Sequence, residues 1–180
     1  TGYNQLKEVI IMVHVYYGDG KGKTTAAIGL AIRCCGNGQT VLFTQFLKSD
    51  NSGERRILEC IPSVNMPELP KNVKFVFDMK AEEHAEYKAK MIELYNYLAE
   101  NISNYDMIVA DEIFSAVDVG FITTSDIIDL INKCPRSTEL VLTGHNLDKS
   151  VLVYADYVTY MSKIKHPYDV GMAARQGIEY

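Results

Sequence analysis

The chain has 180 residues, 47% of them hydrophobic, and a formal net charge of −5. That length suits a single domain over residues 1–180, and the apolar share suits a packed core. The acidic balance removes the global electrostatic case for nucleic acid, and no run of about 18 apolar residues offers a membrane span.

The first strand is predicted over Val9 to Tyr16, inside the apolar run VIIMVHVYY. A glycine-rich loop follows, and then a helix from about Lys23 to the turn Gly36-Asn37-Gly38. TVLFTQF (Thr40 to Phe46) is rich in β-branched and aromatic residues and predicts a second strand. GERRILEC predicts a short helix. Ile61 to Lys71 holds three prolines and is predicted as loop. VKFVF (Val73 to Phe77) predicts a third strand, with Phe77 in the core. Ala81 to Ile102 is the longest helical pattern, and Ala85, Ala89, Ile92, Leu94 or Tyr95, Leu98 and Ile102 follow the 3.6-residue period. DMIVADE (Asp106 to Glu112) predicts a strand ending in two carboxylates. Ser125 to Lys133 predicts a helix capped by Thr124. ELVLTGH (Glu139 to His145) predicts a fifth strand, Asp148 to Tyr154 a helical turn or two, and YVTYMSKI a sixth strand. The tail from Lys165 is predicted irregular. Such strand–helix alternation argues for an α/β fold with a mainly parallel sheet covered on both faces.

Cys34, Cys35, Cys60 and Cys134 form no C-x-x-C pair and no zinc spacing. Free thiols in a reducing, cytoplasmic setting are expected. No signal peptide pattern is visible behind Thr1 and Gly2. His14 lies in an apolar strand and is expected to be a satisfied core histidine, and His84 is expected on an acidic helix face.

The stretch YYGDGKGKTTAAIGLAIR carries the chemistry. Gly18, Gly20 and Gly22 let the backbone curl until successive N–H groups point at one anion. The helix that follows adds its positive end. Lys23 would reach terminal phosphates, and Thr24 would place its hydroxyl on Mg2+. The spacing is G-x-x-x-G-K-T counted from Gly18, because Tyr17 stands where the longer pattern has glycine. Asp111 and Glu112, at the end of a buried strand, are the carboxylates expected to face the metal. Together these features predict a nucleoside triphosphate with Mg2+ (or Mn2+), without saying which bond breaks.

GDGKGKTTAAIGLAIR is followed by TVLFTQFLK, then Gly53-Glu54, DMIVADE, LVLTGHN and the ending KHPYDVGMAARQGIEY. In this order the chain resembles the ATP:corrinoid adenosyltransferases of the cob(I)alamin and cob(I)yrinic acid a,c-diamide type, from about Val9 to Tyr180. The resemblance implies a homodimeric RecA-like P-loop fold. It implies transfer of the 5′-deoxyadenosyl group of ATP to the cobalt of a reduced corrinoid such as cobalamin, with release of triphosphate. A flavoprotein or similar reductase would supply electrons. The resemblance further implies that Gly18, Asp19, Gly20, Lys21, Gly22, Lys23, Thr24 and Thr25 hold the triphosphate, that Thr24 with Asp111 or Glu112 holds the metal, and that Lys23, Thr24 and Glu112 serve catalysis. Arg33, Gln45, Lys48 and His145 fall at positions matched to the nucleotide, and His166 lies near the nucleotide or the dimer contact.

Three departures accompany the resemblance. His145 follows LTG where the family commonly has a phosphate-contacting arginine. Tyr160 stands where an acid is usual. The tryptophan-bearing loop that displaces the lower cobalt ligand is missing, so the nucleotide half of the site looks kept and the corrinoid half altered. Two other uses of such a loop are a kinase or ATPase transferring the γ-phosphoryl group, and a nucleotide-gated corrinoid-binding module with little turnover.

Overall fold

The computed structural model describes residues 12–71 and 76–178. Six parallel strands make one sheet in the order β3-β2-β4-β5-β1-β6. They are β1 (Val13–Tyr17), β2 (Val41–Gln45), β3 (Val64–Asn65), β4 (Met107–Asp111), β5 (Glu139–Gly144) and β6 (Tyr157–Tyr160). The α-helices are α1 (Lys23–Gly36), α2 (Gly53–Leu58), α3 (Ala81–Asn101), α4 (Ile113–Asp118) and α5 (Thr124–Lys133).

The period-2 alternation of the strands sorts the core into two layers. Val13, Val15, Leu42, Ile108, Ala110, Leu140 and Leu142 face the layer built with α3, α4 and α5. Val41, Phe43, Met107, Val109 and Val141 face Ala27, Ala31 and Cys34 of α1 and Leu58 of α2. Residues of β2 and β4 are buried on both faces, as parallel strands between helical layers must be.

Several local expectations change. Residues 9–11 of the predicted first strand and 73–75 of the predicted third lie outside the described residues. Val76 and Phe77 belong to a 3₁₀ turn, Val76–Asp78, and Phe77 is 83% exposed rather than in the core. Among the described residues the third strand is the two-residue β3, inside the segment predicted as loop. In α3 the buried stripe is Tyr87, Met91, Leu94 and Leu98, and Ala85, Ala89 and Ile92 face solvent. Both stripes satisfy the helical period, and the larger side chains took the inner face because they remove more apolar area from water. Helix α5 starts one residue early: Thr123 is its cap, accepting from the Asp126 N–H while the Asp126 carboxylate accepts from Thr123 N–H, a capping box. Asp148–Tyr154 reduces to a 3₁₀ stretch, Lys149–Tyr154, and the tail contains a further 3₁₀ turn, Pro167–Val170. His14 is satisfied as expected. It bonds Glu139 at 3.1 Å and stacks on Tyr157 with ring centroids 4.6 Å apart.

All four cysteines are free. Burial pushes the Cys34 and Cys134 thiols up to about 11, and the Tyr87 and Tyr95 hydroxyls up to about 12. Groups whose folded pKa is raised contribute stability that is complete below the ordinary values, 9.0 for the thiols and 10.0 for the phenols. That stability is lost as pH rises through the folded values. The urea midpoint should therefore hold near neutrality and fall progressively above about pH 9. A midpoint constant up to pH 12 would contradict this reading of the interior.

Candidate functional site

The C-terminal ends of β1, β2 and β4 meet over the N-terminus of α1, the edge at which open parallel sheets collect ligands. The loop between β1 and α1 keeps Gly18 at φ 118° and Gly22 at φ 120°, angles that side chains resist. A second requirement for glycine comes from β6. A Cβ on Gly18 would lie 2.4 Å from the Met161 carbonyl oxygen, and one on Gly20 would lie 2.7 Å from it. Gly20 N–H donates to that oxygen at 2.7 Å, and Gly18 N–H donates to the His145 carbonyl at 2.9 Å. Asp19 is tied to the same neighbour. The Lys163 N–H, helped by the Tyr160 hydroxyl, holds its carboxyl below the usual range. The loop is thus clamped between the ends of β5 and β6.

The loop lines a cavity of about 450 Å³. Asp19 to Thr25 form its floor, and Lys48, Glu54 and Glu112 form one wall. His166, Gly177 and Ile178 of the tail close another side. Lys23 Nζ donates to the carbonyls of Gly18 and Gly20 at 2.7 and 2.9 Å, and Lys21 Nζ to the Ile178 carbonyl at 2.8 Å. An entering anion would give both ammoniums stronger, charge-assisted partners than these neutral oxygens.

Beneath the cavity lies Asp111, fully buried at the end of β4. Its carboxylate accepts from Thr24 Oγ1 at 3.0 and 3.1 Å, from Thr143 Oγ1 at 2.7 Å and from Gln45 Nε2 at 3.4 Å. Lys48 Nζ reaches it at 2.8 Å, with Thr24 Oγ1 at 3.2 Å and Glu54 Oε1 at 3.6 Å. Burial works against the charge on Lys48, but the Asp111 carboxylate, joined by Glu54 and Glu112, outweighs it and raises its pKa. The non-glycine residues with positive φ among the described residues are Leu47 (54°) and Glu112 (59°), each next to a member of this cluster. Left-handed backbone at such residues costs roughly 1–3 kcal/mol each. At Leu47 it turns the chain so that Lys48 folds back over Asp111. At Glu112 it breaks the strand, lets the Glu112 N–H donate to Thr143 Oγ1 at 2.9 Å, and leaves the carboxylate on the cavity wall, where it accepts from Ser115 Oγ.

The structure therefore brings together most of the predicted residues and sorts their surroundings. Asp111 is buried under the cavity, whereas Glu112 lines it. Gln45 is fully buried, and its amide bridges Glu54 at 2.9 Å and Asp111, so it braces the wall without lining the cavity. Arg33 sits ten positions after Lys23 on α1, about 15 Å down the helix, exposed and outside the cavity lining. The His145 side chain is also outside that lining, and its backbone holds Gly18 instead. Thr143, two residues before His145 in the LTGH strand end, joins the cluster without a motif of its own to mark it.

Residues 10–180 match the model of a family described as ATP:corrinoid adenosyltransferase BtuR/CobO/CobP. The corrinoid adenosyltransferase of Escherichia coli K12 is 29% identical over 177 residues, covering 94% of this chain and 85% of that protein. Corrinoid adenosyltransferase CobA of Salmonella typhimurium is 29% identical over 184 residues, covering 98% and 89%. The corrinoid adenosyltransferase of Pseudomonas aeruginosa is 27% identical over 175 residues, covering 95% and 83%.

Two glycines give opposite expectations. Gly20→Ala should push Met161 away, lower the melting temperature and weaken ATP binding at least tenfold. At exposed Gly29 of α1 an added Cβ meets nothing within 4 Å, so Gly29→Ala should raise stability by about 0.5–1 kcal/mol. Thermal melts and calorimetric ATP titrations check both, and an unaffected Gly20→Ala would remove the clamp from the account.

Proposed function

The chain belongs to the ATP:corrinoid adenosyltransferase family, and from that premise we propose how its cavity carries out the transfer of a 5′-deoxyadenosyl group from ATP to a reduced corrinoid. The observation that carries the reading is the strand–loop–helix unit whose Lys23 lines the cavity and whose Thr24 joins that cavity to Asp111 beneath it. The loop amides other than those of Gly18 and Gly20, which His145 and Met161 engage, bind the triphosphate together with Lys21 and Lys23. The ribose then points toward the open mouth, where C5′ can meet cobalt. The cob(I) electron pair forms the Co–C5′ bond while the C5′–O bond breaks. The pair from that bond departs with triphosphate, and cobalt rises formally from Co(I) to Co(III). Cob(I) is itself the nucleophile, so this step asks for no general base. The protein's task is alignment of C5′ and stabilisation of charge on the leaving group.

A magnesium or manganese ion fits the oxygen set. Among the described residues no cluster of three His, Cys, Asp or Glu could hold a metal ion alone, so hydroxyl and phosphate oxygens must complete the site. Thr24 Oγ1 and Glu112 would hold it, with Asp111 fixing the threonine, and when bound it would neutralise charge on the departing triphosphate. Exposed apolar groups on the edge strand and tail, among them Val158, Ile164 and Val170, support a homodimer. The need for Co(I) supports a flavoprotein or similar reductase as electron source.

ATP, Mg2+ and chemically reduced cobalamin should yield triphosphate and a light-sensitive Co–C chromophore. ADP with phosphate or a phosphoester would point to phosphoryl transfer, and tight binding without turnover to a corrinoid-binding module. Lys23→Ala should lose a charge-assisted contact worth roughly 1.5–3 kcal/mol, and so at least tenfold in ATP affinity by calorimetry. An unchanged affinity would contradict the phosphate-loop reading.

The corrinoid face differs from the family pattern. Met91 of α3 contacts the Leu47 N–H at 3.4 Å, at the level of the sheet edge. Ala81 begins ten residues earlier, so the helix and the Phe77 turn overhang that edge by about 15 Å. Phe77 is thus an exposed aromatic candidate for the task of the missing tryptophan, with the tail around the exposed Tyr168 as the alternative. We expect efficient reaction with pre-reduced cob(I) and slow reaction when Co(II)-cobalamin must be reduced on the protein by a weak reductant. A clear four-coordinate Co(II) spectrum with ATP present would contradict this, and loss of that spectrum in Phe77→Ala would assign the task to Phe77.

A further inference from the structure

Lys48 occupies the place that a metal would need. Its ammonium lies 2.8 Å from Asp111 Oδ2 and 3.2 Å from Thr24 Oγ1. Thr24 Oγ1 is the hydroxyl assigned above to the metal, and Asp111 is the carboxylate that fixes it. A buried carboxylate left without a cation is costly, and Lys48 is the cation that pairs with Asp111 here. The left-handed turn at Leu47 is spent on this placement. An ammonium and a divalent ion cannot share the spot, because the two positive charges would stand a few ångströms apart. Lys48 therefore has to leave when a metal arrives. Its destinations are Glu54, already 3.6 Å away, and the cavity it lines beside Lys21 and Lys23. Once nucleotide is present, the triphosphate would supply a dense anionic partner.

We propose that Lys48 is a built-in placeholder cation: it neutralises Asp111 in the free protein, excludes metal in the absence of nucleotide, and swings onto the triphosphate when metal and nucleotide enter together. The proposal rests on the reading of Thr24 and Glu112 as the metal position. It makes metal and nucleotide binding mutually dependent, since a metal alone must evict Lys48 with no phosphate to receive it. By linkage the coupling is reciprocal, and it passes through one side chain.

The test uses the purified chain, Mn2+ alone, and Mg2+ with ATP. Mn2+ binding is read from the loss of the free-ion paramagnetic resonance signal, and ATP binding from calorimetry. Wild type should bind Mn2+ weakly without nucleotide. Lys48→Met should bind Mn2+ alone at least tenfold more tightly, while its affinity for Mg2+ with ATP falls. Equal Mn2+ affinity in the two proteins overturns the placeholder, even if wild type binds Mg2+ with ATP as the functional reading requires. Should wild type bind ATP no better with Mg2+ than without it, the metal position itself is wrong and the proposal falls with it. If Lys48→Met does not fold, wild type answers by nuclear magnetic resonance. The Lys48 ε-carbon signal, identified by its loss in Lys48→Arg, should stay put when Mg2+ is added alone and move when Mg2+ and ATP are added together. Movement with Mg2+ alone overturns the proposal.

Discussion

The buried carboxylate of Asp111 is the point from which the site is organised. It stands at the end of β4 and accepts hydrogen bonds from α1 through Thr24, from β5 through Thr143 and from β2 through Gln45, with Lys48 as its counter-charge. Each contact ties a different element to the same edge of the sheet. A buried charge is tolerated only when its lone pairs are filled and its field is opposed, and here Thr24 and Lys48, which line the cavity, share that task with the buried Gln45 and Thr143 behind it. The strain at Leu47 and Glu112 follows from this arrangement. The chain must turn sharply after β2 and after β4 to leave Lys48 above the carboxylate and Glu112 beside it.

The glycine loop depends on a second constraint that begins far away in the sequence. Met161, just past β6, occupies the space that side chains at positions 18 and 20 would need, and its carbonyl takes the Gly20 N–H. The small residues therefore answer a neighbouring strand as well as the left-handed turns of their own loop. The same segment continues into the tail that walls the cavity with His166, Gly177 and Ile178. The order of strands, with β6 beside β1, is what brings the last stretch of the chain onto the first loop.

What the sequence disclosed was local. The loop and its helix were legible because the spacing of glycines, Lys23 and Thr24 is dictated by the backbone geometry of anion binding. Central strands were legible because burial on both faces demands continuous β-branched and apolar runs. Asp111 and Glu112 could be placed at a strand end, but their different surroundings could not be read, since burial depends on Thr143 and Gln45 from other strands. In α3 two stripes competed under one period, and only packing against the sheet decided between them. Phe77 lies outside the core because the apolar run that contains it ends in a turn. Helix α4 and strand β3 are too short for any periodic signal. The matched Arg33 stands three helical turns from the loop, which a linear pattern does not reveal.

The glycine loop, Lys48 and Glu112 thus line one cavity over a braced carboxylate. The central claim is that the cavity receives the triphosphate with its metal on Thr24 and Glu112, above a carboxylate that Lys48 has vacated. The most direct measurement is a crystal structure with Mn2+ and a non-reactive ATP analogue, with the ion located by its anomalous scattering. The account predicts a manganese peak bonded to Thr24 Oγ1 and phosphate oxygens, facing Glu112, with Lys48 on the triphosphate. A triphosphate bound away from the glycine loop, or manganese elsewhere with Lys48 still paired to Asp111, would contradict it.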